Sequence, residues 1–61
     1  MYTLIRTYDD GFSQSEICHT ISEVFTAAGI YTADKECVSI LAINNATKDF
    51  IIDFNREAEN E

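Results

Sequence analysis

The sequence predicts an α+β fold, a β-α-β-β chain whose three-stranded sheet carries one helix on one face, and three observations predict it. A β-branched and aromatic run opens the chain, start and stop signals frame an amphipathic stretch in its middle, and two strand-like segments flank a four-residue polar loop near its end. At 61 residues the chain has room for one small domain. A chain of that size buries only about 60% of the surface it exposes when unfolded.

The first element is "YTLIRTY", residues 2 to 8, which runs into Asp9-Asp10-Gly11, a turn cluster, and reads as a strand. The stretch "FSQSEICHTISEVFTAAGI" follows. Ser13 and Glu16 have the S-x-x-E spacing of a capping box, and Phe12 and Ile17 the spacing of a hydrophobic staple. Gly29 stands where a left-handed residue would end the helix, with Ile30 placed to pack on Phe25. A helix over residues 14 to 28 is expected. Ile17, Ile21, Val24 and Ala28 form its buried stripe, widened by Cys18 and Phe25, while Glu16, His19, Glu23 and Thr26 lie off it.

The segments "CVSILAIN" and "DFIIDFN" then read as a hairpin around "NATK". With residues 45 to 48 as its loop, Asn44 faces Asp49, Ile43 faces Phe50, Leu41 faces Ile52 and Ser39 faces Phe54. That register turns Leu41, Ile43, Phe50, Ile52 and Phe54 toward the helix and Val38, Ile40, Ala42 and Ile51 away from it. A competing reading makes residues 34 to 45 a second helix capped by Asp34. Val38, Ile40 and Ile43 favour the strand. The domain is expected to occupy residues 1 to 55, with "REAENE", residues 56 to 61, as an acidic tail.

Charge narrows the possible functions. Eleven Asp and Glu stand against four Lys and Arg, a formal net charge of −7. Phosphate-binding proteins cluster their cations, whereas Arg6, Lys35, Lys48 and Arg56 are scattered, so neither direct nucleic-acid binding nor an anionic membrane is expected. The N-terminal residues lack the pattern of a secretory leader, and no stretch approaches the ~18 apolar residues of a membrane span. Cys18 and Cys37 are expected as free, buried thiols, which together point to the cytoplasm.

No residue pattern calls for a catalyst, metal or cofactor. Cys18 and His19 are neighbours, but on a helix they would diverge by about 100° and could not act as a pair. Two Cys and one His without ligand spacing do not make a zinc site. Gly11 and Gly29, the only glycines, do not form a phosphate-cradling loop. Asp9 and Asp10 fit a turn, where Asp bonds its own backbone. The chain is therefore read as a non-enzyme.

The remaining inference concerns surfaces. One helix covers one face of a sheet, so Val38, Ile40 and Ile51, with Asp53 among them, should await another chain. This makes the protein a small acidic binding module, an inhibitor or adaptor whose partner is another protein or a second copy in a homodimer. Its size and charge are those of many phage-encoded inhibitors, a likeness of class and not of motif. The alternative is a DNA mimic, in which Asp9, Asp10, Glu16 and Glu23 stand in for phosphates against a basic site.

Overall fold

The computed structural model describes residues 1 to 56. It contains strand β1 (Tyr2–Tyr8), strand β2 (Ser13–Cys18), helix α1 (Ile21–Thr32), strand β3 (Cys37–Asn44) and strand β4 (Phe50–Asn55). The strands form one four-stranded sheet in the order β2-β1-β3-β4, every pair antiparallel. The expected three-stranded β-α-β-β sheet is thus corrected to a ββαββ chain, and the extra strand comes from the front of the expected helix.

The hairpin turn explains the change. Tyr8 donates its N–H to the Phe12 carbonyl at 2.8 Å, Gly11 donates to the Tyr8 carbonyl at 3.0 Å, and Gly11 has φ +89°. A three-residue loop ending in a left-handed glycine reverses the chain into an antiparallel partner, and Asp10 secures it by accepting from the Phe12 N–H. Ser13 is then already extended and pairs with Thr7, so it caps no helix.

The helix starts at the second S/T-x-x-E spacing, Thr20 to Glu23. Thr20 is the N-cap, its hydroxyl accepting from the Glu23 N–H at 3.2 Å, and Glu23 reaches back to accept from the His19 N–H at 2.8 Å. At the other end α1 runs through Gly29 to Thr32. No basic residue lies in its last turn, but Arg56 arrives from the end of β4 and donates to the Thr32 carbonyl at 2.7 Å. A cation at a helix C-terminus meets both the orphan carbonyl and the dipole. Arg56, expected in the tail, is therefore tied to the domain; residues 57 to 61 lie outside the described residues.

Gly29 gives a test whose sign separates the two helix readings. It sits inside α1 without a positive φ, and a Cβ placed on it would meet nothing within 4 Å. Glycine in a helix interior costs about 0.8–1 kcal/mol relative to alanine, so Gly29→Ala should raise the thermal and denaturant midpoints. A left-handed cap at this position would make the same substitution lower them.

The core lies between α1 and one side of the sheet. Leu4, Cys18, Val24, Ala28, Cys37, Ile40 and Ala42 are buried, with Tyr2, Tyr8, Ala27, Tyr31, Ile51, Ile52 and Phe54 packed around them. The β3–β4 loop falls where expected: Asn44 donates to the Asp49 carbonyl at 2.9 Å, and Ile43 pairs with Phe50. Beyond that pair the register shifts, so Ala42 pairs with Ile52, Leu41 with Asp53 and Ile40 with Phe54. One extra residue at Ile51 exchanges the faces of β3 relative to expectation, while Ile52 and Phe54 stay on the helix side as expected and Phe50, before the bulge, turns away. Ile40 and Ala42 turn to the helix, and Leu41 and Ile43 turn away from it.

Candidate functional site: the helix-free face of the sheet

The cross-strand register defines what the uncovered side presents. Near the β3–β4 loop a row crosses the sheet through Ile17, Thr3, Ile43 and Phe50; the next row holds Ser15, Ile5, Leu41 and Asp53. A third row, toward the β1–β2 turn, contains Ser13, Thr7, Ser39 and Asn55. Ile17 and Phe50 are exposed, at 55% and 64%. Asp53 is the one charged side chain in these rows among the described residues, although a quarter of the chain is charged.

The four residues expected on this face are placed differently from one another. Asp53 lies on it, opposite Leu41. Ile40 does not, being fully buried against α1. Ile51 occupies the bulge of β4 and packs against the core. Val38 is half-buried at the irregularity where β3 leaves its register with β1. Leu41 and Ile43, which the uninterrupted register turned toward the helix, lie on this face instead, joined by Ile5 and Ile17. Strict alternation in β1 was a usable signal for Ile5, whereas Ile17 was hidden by its assignment to a helix.

The acidic residues expected to imitate phosphates do not form a row. Asp9 and Asp10 occupy the β1–β2 turn, where Asp9 donates its N–H to the Glu36 carbonyl at 2.9 Å. Glu23 lies in the first turn of α1, at the opposite end of the sheet, and is engaged in the cap. Glu16, expected to share a helix stripe with Glu23, is instead on β2.

Glu16 belongs to a polar cluster under the C-terminal half of α1. Arg6 donates from Nε to the Tyr8 hydroxyl at 3.0 Å, from Nη1 to the Tyr31 hydroxyl at 3.0 Å and from Nη2 to Gln14 Oε1. Tyr31 in turn donates to Glu16 Oε1 at 2.8 Å, and the Arg6 guanidinium stands 4.4 Å from the Tyr31 ring centre. Burial, followed by the hydrogen bond to Glu16, pushes the Tyr31 phenol above its ordinary range, with Arg6 opposing. Each member has a partner within the cluster, and the cluster lies between helix and sheet, which gives it a structural use: it fastens α1 to the β1–β2 hairpin.

Chemistry elsewhere is sparse. Cys18 and Cys37 are free and buried. Burial, then the nearby Glu16 and Glu23 carboxylates, pushes the Cys18 thiol up, which suppresses the reactive thiolate. No cluster of His, Cys, Asp or Glu able to hold a metal occurs among the described residues, and no helix among them is long and apolar enough to cross a membrane. The chain matches no protein-family model, no curated protein and no solved structure.

Proposed function

We propose that the protein is a small, non-enzymatic binding module of the cytoplasm that acts by seating the helix-free face of its sheet on another protein, as an inhibitor or adaptor does. The observation that supports this reading is the near absence of charge across that face. In a chain of net charge −7, Ile17, Ile43, Phe50, Ile5 and Leu41 adjoin one another across four strands, interrupted by small hydroxyl residues and one carboxylate. Loss of charge with retention of large apolar groups distinguishes the centre of an interface from ordinary surface. The exposed large apolar residues of α1, Ile21, Phe25 and Ile30, are by contrast interspersed with Ser22, Glu23, Thr26 and Gly29. Two free buried thiols suit a reducing compartment.

Photocrosslinking in the native host tests this proposal. A benzophenone amino acid at Leu41 or Ile43 should give a discrete adduct, and the same group at Phe25 should not. Mixed without crosslinking with the partner so identified, the unmodified protein should keep it as ionic strength rises, because apolar contact is little screened. Adducts from Phe25 alone would overturn the proposal. Steep loss of the partner with salt would do the same and would favour an acidic surface acting as a DNA mimic.

A further inference from the structure

We propose that a second copy of this chain pairs with β2 along its outer edge, antiparallel, with Ser15 on the two-fold axis. This goes beyond the open-face reading and rests on the backbone edge of β2, although Ile17, Ile5, Ser13 and Ser15 also border that face. Among the described residues the two outer strands of the sheet, β2 and β4, each pair with one neighbouring strand, but they differ. β4 carries a bulge at Ile51 and the charge of Asp53, two devices that discourage pairing. β2 pairs with β1 in unbroken register from Ser13 to Cys18 and has no bulge, and its one charged residue, Glu16, is held on the helix side by Tyr31 and Arg6.

The direction of its backbone groups follows from the ladder. Since Tyr8 and Phe12 are joined by a backbone hydrogen bond, alternation points the N–H and C=O of Gln14, Glu16 and Cys18 at β1. Those of Ser13, Ser15 and Ile17 point outward. A partner strand must place its own outward-facing residues opposite these, which leaves few registers.

Side chains select among them. Centring the pair on Glu16 would set two carboxylates against each other. Centring it on Ser15 sets Gln14 opposite the partner's Glu16, an amide against a carboxylate, and Ser13 opposite the partner's Ile17. A hollow of about 210 Å³ lies at this position, lined by Ile5, Ser13, Gln14 and Ser15. Ile17 projects from the same strand with 55% of its surface exposed. Knob and hollow are therefore exchanged twice across one axis, as a self-complementary interface requires. The contact consumes both β2 edges and leaves only the bulged β4 edges outside, so assembly closes at two copies.

Ser15→Pro supplies the test. Its N–H points away from β1, so proline removes no bond of the monomer while removing a donor at the axis. Sedimentation velocity should show wild type passing from monomer to dimer as concentration rises, with Ser15→Pro and Ile17→Lys each weakening the dimer by at least tenfold. Circular dichroism should remain as in wild type. Hydrogen exchange on unmodified protein gives an arm independent of folding defects: the amides of Ser13, Ser15 and Ile17 should gain protection with concentration. A wild type that stays monomeric at high concentration overturns the proposal. So does a dimer in which these amides gain no protection, or one dissociated by Leu41→Lys but not by Ser15→Pro, since that dimer would use the open face.

Discussion

Ile40→Lys is expected to abolish folding, whereas Leu41→Lys, one residue away, should leave a folded domain. Ile40 is fully buried beneath α1, where a lysine would lose the apolar contacts of isoleucine and have no carboxylate to pair with. Losing the aliphatic burial costs about 1.5–3 kcal/mol, and burying an unpaired charge adds several more. A domain of this length has a total stability of roughly 3–9 kcal/mol, so the sum reaches or exceeds what is available. Leu41 lies on the helix-free side, where a lysine can extend into water. Circular dichroism and thermal unfolding of the two variants check this directly. Equal tolerance of both substitutions, or the reverse order, would mean that the shift at Ile51 is absent and the uninterrupted hairpin register holds.

Arg6→Ala should be the most damaging substitution of a polar residue, at about 2–3 kcal/mol. Three hydrogen bonds and the stacking on Tyr31 go with the side chain, and Glu16 loses the cation 3.7 Å from it. Removing one partner of a fully buried ion pair costs about 3–5 kcal/mol. The figure here is lower because the Glu16 side chain is 39% exposed, against 13% for Arg6. In a double-mutant cycle with Glu16→Ala the two losses should be less than additive, because the second substitution removes the group that the first leaves unpaired. Strict additivity would show that the two residues act separately. The cluster also predicts an alkaline limb. Tyr31 is neutral in the fold at a pH where it would ionise when unfolded, so its contribution is complete below the ordinary tyrosine range and is lost as pH rises through the raised value. Tyr31→Phe should flatten that limb in a plot of stability against pH.

These predictions depend on a register and a helix boundary that the sequence left ambiguous. Two S/T-x-x-E spacings seven residues apart, Ser13–Glu16 and Thr20–Glu23, are equally good caps as local patterns. What separates them is the β1–β2 hairpin, whose left-handed Gly11 commits Ser13 to pairing with Thr7. Local signals for a helix stop misled in the same way, because a glycine is needed at a left-handed cap but tolerated inside a helix, and Gly29 is the second case. In the final hairpin, loop length correctly placed Asn44 against Asp49 and Ile43 against Phe50. The bulge could not be read from alternation, since "FIIDF" supplies an apolar residue to either face whichever way it is counted.

The amino-acid sequence by itself determined the class and the limits: an α+β domain with its first strand at residues 2 to 8 and a hairpin closing near residue 55, strongly acidic and without clustered cations. Those properties are sums over residues or patterns within a few positions, and no folding choice changes them. Tertiary structure decided the number of strands, the start of the helix and which side of the sheet faces water. Each of these depends on one strand meeting another, where a shift of a single residue exchanges the buried and exposed faces. So Ile40 became core, Leu41 and Ile43 became surface, and the apolar face inferred from the hairpin lies one residue away from where the uninterrupted pattern put it.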